Sequence, residues 1–297
     1  MQTTKLKSDL ILLLAAVIWG FAFVAQRIGM DYVGPFTYNG VRFLLGTLVL
    51  LPLLYLRVRK GNPLIISDHP AGRRKIILGA LLTGLFLFAG VALQQLGLQQ
   101  TTAGKAGFIT GLYVAFVPVI GLFLGQKSRW FIWVGVLLSV TGLYFLSITQ
   151  GFSLAPGDSL VVMCAFIFTF HVLLIGWLSP LMDSILLAVI QFSITTVINF
   201  MVAFHIETIT LVKIAEAWLP ICYGGILSVG VAYTLQIIVQ KTAHPAYVSI
   251  ILGLEAVFAV IGGMLILHET MTMRMTAGCL MMLAGTVLVQ QQGKRHT

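Results

Sequence analysis

Charged residues are scarce in this chain: Asp, Glu, Lys and Arg make up 9% of its 297 residues, against roughly 25% in soluble domains. A soluble protein of this length needs far more polar side chains to cover its core. Acidic groups are the scarcest, nine against eighteen Lys and Arg. Cysteine is nearly absent, with only Cys164, Cys222 and Cys279, all far apart within apolar stretches. Such spacing matches no metal motif and offers no disulfide framework. No phosphate-cradling Gly-Lys-Ser loop occurs, so the chain is not expected to bind ATP itself. The His, Asp and Cys residues are scattered, which argues against a membrane-embedded enzyme. Rings of repeated charge are missing from the apolar stretches, which argues against an ion channel. Neither a cofactor nor a metal is expected.

Long apolar blocks dominate what remains. Hydrophobic residues are 59% of the chain and mean hydropathy is +1.01. Ten segments stand out, at about 9–27, 35–56, 76–97, 103–124, 130–148, 158–178, 184–204, 217–238, 246–267 and 273–292. Blocks near 20 residues cross a bilayer as helices. They lack the period-two alternation of barrel strands, and a helix satisfies its own backbone in lipid. Turn signals fall between them: Gly34-Pro35, Gly61-Asn62-Pro63, Ala155-Pro156-Gly157 and His244-Pro245. Lys5 and Lys7 ahead of the first block resemble a signal peptide. The Ala22–Gln26 stretch lacks a good small-x-small cleavage site, so an uncleaved first helix is expected.

The basic excess follows topology. With a cytoplasmic N-terminus, thirteen of the eighteen Lys and Arg fall in inside segments, including Lys5, Lys7, Arg57 to Lys75, Lys127, Arg129, Lys241, Lys294 and Arg295. Only Arg27, Lys213 and Arg274 fall outside, while Arg42 and Lys105 lie within spans. This bias is the positive-inside pattern, and it predicts ten spans with both termini cytoplasmic, Asp68 inside and Gln150 outside. The charge is therefore not a nucleic-acid footprint.

The chain also resembles itself. An offset of 149 matches Asp9 with Asp158, Ala16 with Ala165, Phe21 with Phe170, Phe43 with Phe192 and Thr47 with Thr196. An offset of 141 matches Gln95 with Gln236, Gln99 with Gln240, Thr101 with Thr242 and Gly121 with Gly262. The expected fold is all-α integral membrane, ten transmembrane helices as two inverted five-helix repeats, residues 1–150 and 151–297. Five spans per half is an odd number, so the second repeat lies upside down, an arrangement suited to alternating access.

Several stretches resemble the EamA-like transporters, the ten-helix branch of the drug/metabolite transporter superfamily. They are Ala15–Phe21, Gly97–Gly111, Leu254–Ala259 and His268-Glu269-Thr270. The usual pattern differs at Ala256, where Pro is common, at His268, where Gly often precedes the Glu, and at Gln126-Lys127. The resemblance implies a small-molecule exporter, with amino acids favoured over nucleobases or drugs.

Candidate site residues are the polar and aromatic groups inside spans. Glu255 lies near the centre of the ninth segment. It is the candidate for proton coupling or for binding a substrate amine, with a helix-to-helix polar contact as the alternative. Lys105 suits snorkelling, an outer gate or carboxylate binding, and Arg42 a structural hydrogen bond. His171 could titrate near neutral pH or serve as an interhelical donor. Trp19 and Phe23 share one helix face, and Phe168 is the repeat partner of Trp19. Gln94 to Lys105 and Gln236 to His244 form mirrored polar clusters, which predicts that Gln95 and Gln236 face the substrate pathway. Gly107 with Gly111 and Gly121 with Gly125 suit tight packing, and Pro118 predicts a kink. The expected function is a secondary transporter in a bacterial inner membrane, surrounded by lipid, monomeric or homodimeric, with protons as candidate co-substrate. A facilitative channel or uniporter for small solutes, or a membrane-embedded enzyme, is the alternative.

Overall fold

Apolar blocks without internal breakers dictate the long helices. The computed structural model describes residues 2–61, 63–65, 72–147 and 156–294. Asn62, Asp68, Gln150 and Arg295 lie outside these, as does the repeat boundary at residues 150 and 151. Three unbroken helices come first, α1 (Gln2–Gly29), α2 (Pro35–Arg59) and α3 (Gly72–Leu98). The fourth apolar segment is split into α4 (Ala103–Thr110) and α5 (Tyr113–Phe123). Next come α6 (Trp130–Ser147), α7 (Pro156–Leu178) and α8 (Ser184–Ile206). A short α9 (Leu211–Glu216) leads into α10 (Trp218–Cys222), a wide π-helical stretch over Tyr223–Tyr233, and α11 (Thr234–Gln240). The chain closes with α12 (Pro245–Leu252), α13 (Glu255–Ile266) and α14 (Met273–Lys294). Among the described residues there is no strand, only an isolated bridge between Ile65 and Met182.

Nine of these helical segments are long and apolar enough to cross a membrane among the described residues, and the tenth, Trp130–Phe145, is shorter. Pro118, the residue expected to kink the segment, lies inside α5, and the segment is broken nearer its start. At Gly111-Leu112 the ladder tightens, with Leu112 N–H donating to the Ile109 carbonyl at 3.1 Å and Val114 N–H to Gly111 at 3.0 Å. A matching break follows Leu252, where Leu254 N–H donates to Ile251 and Ala256 N–H to Gly253, both at 3.2 Å. The two breaks touch: a Cβ on Gly253 would lie 2.4 Å from the Val114 side chain.

Close helix approach depends on small residues, as the sequence suggests. A Cβ on Gly20 of α1 would fall 2.2 Å from that of Phe258 on α13, and one on Gly107 2.6 Å from that of Ala259. Gly135, Gly142 and Gly285 let α6 and α14 meet in the same way. Gly125, at φ = 80°, instead supplies the left-handed turn after α5. α1 and α13 run in the same direction, Gly20 beside Phe258 and Gly262 beside Phe21 and Val24. Their ends define one face of the molecule, the Gly29 face; the opposite one is the Asp9 face.

Helix starts are capped by two routes. Asp183 caps α8 from within its own half, accepting from Ile185 N–H at 2.8 Å and Leu186 N–H at 3.2 Å. His244 caps α12 through Nδ1, which accepts from Ala246 N–H at 3.3 Å. Burial lowers the pKa of this imidazole below its ordinary value, which keeps the accepting nitrogen free of a proton. α2 instead takes its cap from the far end of α8: Glu207 accepts from Phe36 N–H and Thr37 N–H, both at 2.8 Å, and from the Thr37 hydroxyl at 2.6 Å.

Candidate functional site

Between the helices lies a cavity with about 490 Å³ of empty volume, its open part included. Trp19, Phe23 and Gln26 line it from α1, spaced by four and three so that they share one helical face. They climb from the middle of that helix toward Gly29. Phe168, His171 and Val172 of α7 stand on another wall, with Ser228 and Tyr233 from the π-helical segment and Gln236 from α11. The two helix breaks supply Thr110 and Tyr113 on one side and Leu252 and Glu255 on the other. Toward the Asp9 face an apolar cluster that includes Leu12, Val117, Val239, Val248 and Ile251 fills the interior.

Aromatic rings organise the walls. Trp19 and Tyr233 lie 4.6 Å apart between centroids, and the Trp19 indole N–H donates to the Ser228 carbonyl at 3.2 Å. Ser228 lies within the π-helical stretch, a kind of segment frequent at functional sites. Phe43 and Phe192, repeat partners in the sequence, meet at 5.9 Å, and both lie against Tyr233 at 6.2 and 6.0 Å.

Two opposite ionisable groups face the cavity. Arg42 is 2% exposed, and its Nε donates to Asn39 Oδ1 at 2.9 Å. Its guanidinium carbon lies 5.5 Å from the Tyr38 ring centroid and 5.1 Å from that of Phe43. Glu255 is 4% exposed and lies beside the Tyr113 hydroxyl. Tyr233 lines the same cavity as both.

Polar atoms without partners gather here. Gln26 Oε1, the Tyr113 hydroxyl, Gln236 Oε1 and Glu255 Oε1 are buried with no hydrogen bond among the described residues. Native interiors leave few such atoms, and an assembly of them around one space fits water or a polar ligand. His171 is satisfied by Gln191, at 2.8 Å, and Gln94 donates to the Thr110 hydroxyl at 3.2 Å.

Trp19, Phe23, Phe168, His171, Gln236 and Glu255 thus come together around one cavity, whereas Gln95 and Lys105 stand apart from it. Gln95 is fully buried, and neither amide atom has a partner among the described residues. Lys105 forms an ion pair with the buried Asp158 at 2.6 Å, near the Gly29 face. On the Asp9 face the Tyr247 hydroxyl bonds to Asp9, the repeat partner of Asp158. The mirrored polar clusters also divide: Gln94 and Gln236 reach the cavity, while Thr102 and His244 cap helices. Sequence reasoning missed Arg42 as a cavity residue, together with Gln26, Tyr113 and Tyr233. Arg42 was legible as an unpaired charge in an apolar span; the tyrosines carry no such signal.

A family model for the EamA-like transporter family matches this chain twice, at residues 6–148 and 155–290. The chain belongs to the EamA-like transporter family. EamA-like relatives agree. A protein of Archaeoglobus fulgidus described as an uncharacterized transporter is 31% identical over 295 residues, covering 96% of this chain and 86% of its own. The uncharacterized transporter YoaV of Bacillus subtilis is 22% identical and covers 91% of each. A solved crystal structure superposes with a TM-score of 0.75 at 18% identity, over 97% of this chain and 98% of that one, which shows a shared fold. This EamA-like protein is therefore a multi-pass membrane transporter and not an enzyme.

Proposed function

We propose that this protein exports a small polar metabolite, an amino acid or a related compound, from the cytoplasm of a bacterial cell by alternating access in the inner membrane. The observation that carries the reading is the pair of breaks, at Gly111-Leu112 and Gly253-Leu254, on corresponding segments of the two halves. Both flank the cavity near mid-span, through Thr110 and Tyr113 and through Leu252 and Glu255. Discontinuous helices in matching positions of two repeats are a recurring way to build a midplane binding site.

Two-fold inverted repeats, residues 1–150 and 151–297, account for further pairs. Phe43 meets its partner Phe192, and Trp19 and its partner Phe168 share the cavity. Asp158 is tied near one face and Asp9 near the other. Each latch joins the first helix of one half to the fourth segment of the other. Opening one while the other holds would expose the cavity to one side at a time, with the Gly29 face outside and both termini cytoplasmic. Trp19, Phe23, Phe168, His171 and Gln236 form the substrate pathway, Gln95 lies in the packing behind it, and Lys105 works as an outer latch.

Glu255 is the coupling group in this reading, exchanging a proton with whichever side the cavity faces. Purified protein in liposomes loaded with mixed amino acids provides the test. Wild type accumulates substrate against its gradient when a pH gradient is imposed. Glu255→Gln folds, keeps downhill exchange and loses the response to the pH gradient. Full gradient-driven transport by the variant would remove Glu255 from this role.

A further inference from the structure

Arg42 is a charge that the fold buries without neutralising. Its Nε is held by Asn39 at 2.9 Å, and the rings of Tyr38 and Phe43 flank the guanidinium. The two terminal nitrogens find no acceptor among the described residues, and neither described ion pair involves this side chain. Yet the side chain, 2% exposed, lines the cavity. A guanidinium fixed at Nε and lying over two aromatic rings presents its remaining N–H groups as a preset fork, the geometry that takes a carboxylate in two parallel hydrogen bonds. Isolated buried charge is costly enough that a partner is expected.

We propose that Arg42 is the anchor for a carboxylate on the transported molecule. The inference rests on the transporter reading and adds the residue that recognises the substrate's carboxylate. Asn39, which donates to the Val91 carbonyl at 3.2 Å, acts as the positioning residue that aims the guanidinium. The other polar end of the cavity, Glu255 with Tyr113 and Gln236, accepts a hydrogen-bond donor such as an ammonium. Carboxylate binding at Arg42 is common to two sources, a simple organic anion and a zwitterion. Rings of Trp19, Tyr233 and Phe168 between these ends suit an apolar body.

The test uses the full-length protein in liposomes loaded with a defined mixture: amino acids, their deaminated carboxylates, their carboxamides, the corresponding amines, and neutral nucleobases. Mass spectrometry reads what leaves. Compounds bearing a carboxylate are expected to leave, and their carboxamides to stay. Arg42→Lys, which keeps the charge but loses the fork, is expected to raise the half-saturating concentration roughly tenfold or more. Exit of amino acids without their deaminated forms identifies a zwitterion; equal exit of both identifies an anion. Equal exit of acids and carboxamides from wild-type vesicles overturns the inference without relying on any variant. So does an Arg42→Lys protein with unchanged saturation. Selective exit of the nucleobases or amines overturns it and leaves the transporter reading intact, whereas no exit of any compound overturns both.

Discussion

At the residue scale, His268 shows how a departure from a family pattern becomes a backbone fact. It sits at φ = 55°, the only non-glycine residue with positive φ among those described. Glu269 N–H then reaches back to the Gly263 carbonyl at 3.1 Å, closing the end of α13 as a glycine would. The strain on a side-chain-bearing residue in that region is about 1–2 kcal/mol, partly offset by the chain entropy that glycine loses. His268→Gly should therefore stabilise the protein by about 1 kcal/mol, seen as a higher unfolding temperature in detergent. A lower temperature would show that the imidazole makes a contact worth more than the strain. The sequence made His268 visible only as an unusual neighbour of Glu269; the left-handed turn that explains it needs the structure. Glu255 and Arg42 were legible for another reason, because charge inside an apolar block is conspicuous. Tyr233, central to the cavity, was not, because an aromatic residue in a lipid-spanning segment reads as packing.

Among elements, α2 and α8 form an antiparallel pair tied at both ends. Glu207, just past α8, holds the start of α2 through three hydrogen bonds, and Arg57 near the end of α2 reaches Asp183 at 3.9 Å. The first tie is the stronger. Charge-assisted bonds to the otherwise unpaired N–H groups of a buried helix start outweigh a stretched pair whose Arg is half exposed. Glu207→Ala leaves Phe36 and Thr37 without their acceptor and should cost about 1–2 kcal/mol. Arg57→Ala should cost less than about 1 kcal/mol. Comparative unfolding in one detergent checks the order, and a larger loss for Arg57→Ala would reverse the assignment. The long helices and their approximate limits were readable from apolar length alone. The breaks at Gly111 and Gly253 were not, because a glycine within a hydrophobic block gives no indication whether it packs, as Gly107 does, or interrupts the ladder.

For the whole molecule, the Lys105–Asp158 and Tyr247–Asp9 contacts predict opposite responses. A single cysteine at Gln26, in a background lacking Cys164, Cys222 and Cys279, reports access to the cavity. Tyr247→Phe should raise its labelling from the Asp9 face, and Lys105→Gln should raise it from the Gly29 face, each by a severalfold change in rate. Both variants raising labelling from the same face would refute the paired-latch reading. The sequence repeats aligned Asp9 with Asp158, but neither the lysine nor the tyrosine that meets them was legible as a partner.

The borrowed cap on α2 also has a consequence for synthesis. In the second half, α8 and α12 begin on caps from their own neighbourhood, Asp183 and His244. In the first half, α2 has no side-chain cap of its own and waits for Glu207. α4 has Thr102 but gains Glu269 on Ala103 and Gly104, at 3.2 and 3.4 Å. As the ribosome delivers the chain from its N-terminus, the early helices enter the bilayer with these amide groups still held by water or lipid headgroups. Residues that arrive about 170 positions later then replace those provisional partners. The half made last thus finishes the half made first: α2 gains its cap only once Glu207 has been made, and α4 its second acceptor only once Glu269 has.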